Sequence, residues 1–489
     1  MSSPNAIRVA VIGVGAAGLA TALTLTDRSP DTLDLTLFDP SFRDPELSAR
    51  GLAYTEDHIE PLLNAPATMM SIRVEDASDF SRWVRHSSIH PGPYVPRSVF
   101  GDYLAECFEM LKRRWVGRAG TLHCVPSRVI SVTRNERDLY SLSTETARFD
   151  QFDVVSLCVG WGCQDETVGD GAPAYPLADT ILHAMAASHV GVIGTGLTAI
   201  DVVRGLLSHG YRGRITIASR RGVLPGPRVT EPIAPVVLTR ALLAQMKSLD
   251  LRQLLQLVER EAQEHGISLE VPIRLLRHET SPEGSLRTGG GAEDRWRALL
   301  VSLCDEAMAD AWHLLDNLSR RVFRRWLHPY FQAWCNPMPP TTAAMIEHAW
   351  ESGQIQVRSR FRRVDDGALV FDNAEREEVD FLISARLGAD ESVADMNSPL
   401  MRSLIEGGLA MCDDFGGLRV NYGSWQVVGA SGARVSLYAI GSLAQGARYY
   451  VNALDSILRT IPEAVDDALR RHDAAVQSMS PPARSSNGR

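Results

Sequence analysis

No two of the seven cysteines (Cys107, Cys124, Cys158, Cys163, Cys304, Cys335 and Cys412) form a C-x-x-C pair, and no Cys/His group has the spacing of a zinc site. That argues against the redox disulfide motif of the disulfide reductases and against a metal centre. The odd, irregular set reads as reduced, mostly buried thiols. Positive charge is also scarce, with 50 Lys and Arg against 59 Asp and Glu for a net charge of −9. Such a surface suits neither nucleic acid nor an anionic membrane, both of which favour dense Lys/Arg clusters. Long apolar runs are missing too. The nearest, Val9 to Leu25, contains Gly13, Gly15 and Gly18 and reads as strand, turn and helix rather than signal peptide or membrane span. The expectation is a cytoplasmic enzyme. Its 489 residues, 45% hydrophobic and 22% charged, suffice for two or three globular domains.

Two glycine turns dominate what is present. "RVAVIGVGAAGLATAL" places a buried strand before Gly13, Val14, Gly15, Ala16, Ala17 and Gly18. In this G-x-G-x-x-G pattern Gly13 allows the tight turn and Gly15 lets a pyrophosphate approach the backbone. Gly18 lets helix and strand pack closely. The helix start offers free N–H groups and the positive dipole end to phosphate. A second strand, "LDLTLFD", ends at Asp39, 21 residues after Gly18, where a carboxylate can bond both hydroxyls of an adenosine ribose. A turn kept only for packing is the alternative.

"HVGVIGTGLTAIDVV" repeats the pattern with Gly194, Thr195, Gly196 and Ala199, and its helix runs to about Ser208. The next strand, "RITIASRRG", ends in Ser219, Arg220 and Arg221 instead of an acid. An acid would repel a ribose 2′-phosphate, whereas guanidinium binds it bidentately. The first unit therefore suits FAD and the second NADPH, unless the arginines are simply a solvated pair. Hydride would pass from nicotinamide to flavin.

The chain resembles the two-dinucleotide-domain FAD/NAD(P)-binding flavoproteins. The likeness rests on "GLAYTEDHIEPLLNAPATMMS" (51–71), "VPRSVFGDYL" (95–104), "SRRGVLPGPR" (219–228) and "LYAIGSLAQGARYYVNAL" (437–454). It implies an α/β fold of two Rossmann-like domains, the FAD domain split and the NADPH domain inserted, plus a largely helical insertion. Residues 1–185 and 368–476, the latter with strands "ALVFDN" and "VDFLISA", would form the FAD domain. Residues 186–367 would hold NADPH, with helices at about 236–335 covering the cleft or serving only as packing. "TSPEGSLRTGGGAED" (280–294) reads as a flexible loop, "WCNPMPP" (334–340) as a junction loop, and 477–489 as a disordered tail.

The resemblance further implies that Leu63, Asn64, Met70 and Ser71 lie along the flavin ring. Arg97 would contact the cofactor or line the site, and Val129 would meet the adenine. Gly441 and Ser442 would close over the ribityl and pyrimidine end. Departures are "LCVGWG" and "SARLG" in place of the ATG-like turns, and the absence of the F-x-G-x-x-x-H signature of Baeyer–Villiger enzymes.

FAD with NADPH and no C-x-x-C points to a monooxygenase, in which O₂ adds at flavin C4a and the hydroperoxide oxidises a nucleophile. The chain looks similar to the N-hydroxylating enzymes, and among them to those that oxidise the amine of L-aspartate to nitrosuccinate in natural-product (antibiotic) biosynthesis. Asn64 would stabilise the oxygen adduct, or merely cap a turn. Arg73 and Arg386 would hold the substrate's carboxylates, although a structural ion pair is the alternative for Arg386. The competing readings are a reductase passing electrons to a small molecule or protein, and a flavin-dependent sensor or scaffold. Oligomeric state stays open, with a dimer plausible.

Overall fold

A computed structural model of the chain describes residues 6–29, 33–55, 58–87, 92–160, 171–229, 231–276, 291–372, 374–386, 398–432, 434–450 and 453–479. Two sheets organise it. The first has six strands in the order Gln426–Val428, Arg434–Ala439, Val154–Leu157, Ile7–Ile12, Leu33–Phe38 and Leu122–Val125. All neighbours run parallel except the edge pair Gln426–Val428 with Arg434–Ala439. Its central strands are buried along nearly their whole length, as a parallel sheet covered on both faces requires. Helices Ala16–Arg28 and Arg97–Arg114 pack on it, with the long helix Leu454–Met479 against the former.

The second sheet is parallel throughout, in the order Ile355–Arg358, Arg214–Ala218, His189–Ile193, Phe381–Ser384 and Ala172–Pro173. Helices Leu177–Ala184, Leu197–Ser208 and Pro340–Glu351 share its core. A small antiparallel sheet, Phe361–Asp365, Ala368–Phe371 and Arg376–Glu378, packs beside Ile193 and Ala218.

The expected domain boundaries need correction. "ALVFDN" and "VDFLISA", assigned to the returning FAD domain, belong to the second unit, because Phe381–Ser384 pairs with His189–Ile193. Residues 172–184, assigned to the first domain, pack there as well. The second unit therefore spans about 171–386 and the first resumes near 398. A short buried strand carries no sign of which sheet it joins; the register does.

Between strands Arg214–Ala218 and Ile355–Arg358 lies the helical region, Arg240–Leu243 to His328–Cys335. Its core of Trp296, Trp312 and Trp334 is completed by Phe415, Tyr449 and Tyr450 from the first domain. The indole of fully buried Trp312 donates to the Gly446 carbonyl at 2.8 Å. The region is thus anchored on the segment after strand Arg434–Ala439. Glu261, wholly buried, accepts from the backbone N–H groups of Val236 (2.8 Å), Val237 (2.7 Å) and Leu238 (2.6 Å). Burial opposes its charge, but those donors and His265 hold its carboxyl below the usual range. Cys304 and Cys335, expected as reduced thiols, are instead joined by a disulfide between two of these helices. The predicted junction loop is shorter than expected, because helices end at Cys335 and restart at Pro340. Most of the 280–294 loop lies outside the described residues, and helix Ala292–Glu306 already includes its last three. Helix Leu454–Met479 covers the first residues of the predicted tail, and the rest lies outside the described residues.

Candidate functional site

In open parallel sheets, ligands bind at the carboxyl ends of the strands. In the first sheet that edge carries Gly13–Gly18, Asp39, Cys158 and Gly441–Ala444. The turn is as tight as its pattern predicts. Gly13 has φ +85° and donates to Phe38 at 2.9 Å, and a Cβ on it would stand 2.7 Å from the Cys158 carbonyl oxygen. A Cβ on Gly18 would stand 1.9 Å from the Gly13 carbonyl oxygen. Gly15 faces Gly51, each Cα within 3.3 Å of the other's would-be Cβ, so backbone alone lines this cradle. Asp39 is fixed at its mouth, accepting from Val14 N–H at 2.6 Å and Ser41 N–H at 2.8 Å. A bare backbone turn beside an oriented carboxylate fits an adenine dinucleotide.

The second edge carries Gly194–Gly196, Ser219–Arg221 and Ala385–Arg386. Ser219 Oγ accepts from Gly222 N–H at 2.8 Å and from the Thr195 hydroxyl at 3.2 Å. Arg220 is exposed and Arg221 half-buried. A Cβ on Gly196 would meet nothing within 4 Å, so this turn is open where the first is close-packed.

The two edges meet through the segments 61–64 and 95–97. Leu63 N–H donates to Val95 and Arg97 N–H to Pro61, pairing the two segments that carry the family likeness. Asn64 is half-buried, and its backbone carbonyl accepts from Arg228 Nε at 3.0 Å. Leu63, Met70 and Ser71 are buried here, and Ser71 Oγ donates to the Asp76 carbonyl at 2.7 Å. Val129 is buried at the start of strand Val129–Arg134, and Gly441 and Ser442 follow strand Arg434–Ala439, which pairs with Val154–Leu157.

Arg97, expected to contact the cofactor or line the site, is held by the protein itself. Its guanidinium donates to the Leu62 carbonyl (3.2 Å), the Tyr175 hydroxyl (3.2 Å) and Asp201 Oδ2 (2.7 Å). All three nitrogens thus have protein partners. Asp201 lies on helix Leu197–Ser208, so this buried pair bolts the first domain to the second. Burial pushes the Asp201 carboxyl up, and Arg97 with the Tyr175 hydroxyl pulls it back. Burial works against the Arg97 charge, but Asp201 and Tyr175 outweigh it and raise its pKa. The carboxylate in the apolar "TAIDVV" run was the available sequence signal.

The two arginines expected around the substrate are far apart in role. Arg73 faces Asp27 (3.8 Å) at the far end of helix Ala16–Arg28, and Asp79 (4.0 Å). Arg386 follows Ala385, whose N–H donates to Ile193 beside the second glycine turn. Arg228 ends the segment "SRRGVLPGPR", and it is the arginine that stands against Asn64. Among the described residues no group of three or more His, Cys, Asp or Glu could hold a metal, and no helix is long and apolar enough to cross a membrane.

Comparison with known proteins agrees with this architecture. Residues 10–162 match the FAD-NAD(P)-binding family. No curated protein sequence matches the chain. Among solved structures, the ornithine N-hydroxylase of Kutzneria sp. 744, holding reduced FAD, NADP⁺ and L-ornithine, is 14% identical at a TM-score of 0.53, covering 96% of this chain and 100% of that one. Ornithine hydroxylase from Pseudomonas aeruginosa is 13% identical at a TM-score of 0.54, covering 96% and 99%. L-lysine 6-monooxygenase from Pseudomonas syringae is 13% identical at 0.52, covering 97% and 100%. The chain therefore carries an FAD-NAD(P)-binding domain within the fold that these hydroxylases share.

Proposed function

We propose that the protein is an FAD- and NADPH-dependent monooxygenase that N-oxygenates a small amine or amino acid. L-aspartate, converted to its N-hydroxy or nitro product (nitrosuccinate), is the substrate we favour. One observation carries this reading: two glycine turns with opposite ribose chemistry stand on sheets whose cofactor edges are tied together by Arg97–Asp201 and Arg228–Asn64. When bound, the two cofactors supply hydride transfer and activation of O₂.

The chain's own residues supply the setting. The glycine turns hold the pyrophosphates, and Asp39 and Arg220 with Arg221 distinguish the two riboses. The interdomain pair fixes the distance between the two sites. The helical region, seated on the segment after strand Arg434–Ala439, keeps water away from the reacting atoms. Asn64 offers an amide beside the reacting centre, and Arg228 next to it is better placed than Arg73 for a substrate carboxylate. The solved hydroxylases of the same fold act on ornithine and lysine, which supports an amino-acid amine as the oxidised group.

Purified holoprotein should oxidise NADPH faster when the right amino acid is added, with the product gaining oxygen by mass. Asn64→Ala should keep flavin reduction at its normal rate yet send several times more of the electrons to H₂O₂. If no amine or amino acid stimulates NADPH use or yields an oxygenated product, the reductase reading takes over.

A further inference from the structure

The helical region reaches the second cofactor edge at Arg221. Helix Asn317–Trp326 ends in Arg325 and Trp326, and the Trp326 ring lies 5.5 Å from both the Arg325 and the Arg221 guanidinium carbons. Trp326 is 52% exposed. Half of the indole is therefore accessible to a ligand. Arg221 belongs to the strand end where the adenosine ribose of a dinucleotide sits, one residue past Arg220 and two past Ser219. An aromatic face, two guanidiniums and a serine turn thus share one corner of the molecule, and they come from two parts of the chain about a hundred residues apart.

Each component has a separate affinity. Guanidinium forks bind phosphate bidentately. An indole stacks on a purine and also holds a guanidinium over its face. The route of the chain fits a dinucleotide spanning this region: from Ser219 it runs to Arg228, whose Nε reaches Asn64. A dinucleotide following that route would have its adenosine end at Trp326 and its nicotinamide end toward Asn64.

We infer that Arg325 and Trp326, supplied by the helical region, complete the NADPH site: Arg325 joins Arg220 and Arg221 on the ribose 2′-phosphate, and the Trp326 ring carries the adenine. The helical region is then a coenzyme-recognition element as well as a cover. This inference rests on the reading of the second unit as an NADPH site.

The test is binding of 2′,5′-ADP and 5′-AMP to the FAD-loaded full chain, by calorimetry. Arg325→Ala should weaken 2′,5′-ADP roughly tenfold, the loss of one charged hydrogen-bonding partner, and leave 5′-AMP unchanged. Trp326→Ala should weaken both ligands alike, by about fivefold, because the stacked base is common to them. Both side chains are exposed, so folding should survive, and an unchanged flavin spectrum verifies it. The inference is overturned if both variants bind 2′,5′-ADP as the parent does while Arg220→Ala weakens it. If the parent protein binds neither ligand, the NADPH reading falls and the inference with it.

Discussion

The two glycine units share a motif and differ in how tightly they are built. In the first, Gly15 lies against Gly51, and Asp39 is pinned by two backbone N–H groups. In the second, Gly196 borders open space, and the ribose-side group is a serine braced by a threonine, beside side chains at the surface. A close-packed cradle with a preset carboxylate suits a ligand that stays bound. An open turn with long cationic arms suits one that comes and goes, because the arms order only when phosphate arrives. On the proposed function one motif would serve a resident and an exchanging cofactor, with the surrounding packing making the difference.

The harshest way to break the comparison is to place a carboxylate in each turn. Gly15→Asp should abolish flavin binding, because the new charge meets both the pyrophosphate and Gly51, and the protein should purify colourless. Gly196→Asp should leave the flavin in place, since there is room for the side chain, and should remove only NADPH reduction. Equal flavin loss in both variants, read from absorbance, would erase the distinction between the units.

Cutting the link between the units comes next. Arg97→Ala leaves Asp201 buried without its cation, which costs about 3–5 kcal/mol. Thermal unfolding should fall accordingly, and hydride transfer should slow even where FAD is retained. Unchanged melting and unchanged flavin reduction would remove the interdomain pair from the account.

A smaller effect sharpens the ribose assignment. Arg220→Ala should lose about 1–3 kcal/mol of NADPH recognition and almost none of NADH recognition. The ratio of flavin reduction rates with the two coenzymes reads this directly. A parent enzyme that uses both equally would contradict the assignment.

The mildest test concerns the junction where the helical region meets helix Leu454–Met479. Burial, with Asp455 nearby, pushes the Asp305 carboxyl up to about 7. Between the ordinary carboxylate range and that value the folded protein holds a proton that the unfolded chain releases. Stability from this group is present at acid pH and declines as pH rises toward 7. Asp305→Asn should flatten the fall in melting temperature between mildly acid and mildly alkaline pH. An identical pH profile in the variant would count against the shift.

Much of this was legible in the amino-acid order, for a physical reason. Gly13, Gly15, Gly18 and Asp39 act through local backbone geometry, so spacing alone reveals both turns, and the arginines after the second strand announce their charge. Local order could not say that Phe381–Ser384 joins the second sheet, since a short buried strand looks alike in either. Nor could it pair Arg97 with Asp201, bring Arg228 to Asn64, carry Trp326 to Arg221 or join Cys304 to Cys335, all contacts across long separations. The sequence by itself determined the two glycine turns and the opposite charges that follow their second strands, because each is written within one strand–turn–helix–strand unit. Only the tertiary structure decided which arginine bolts the domains together and which lies at the surface, because a guanidinium's role depends on the partner that folding brings to it.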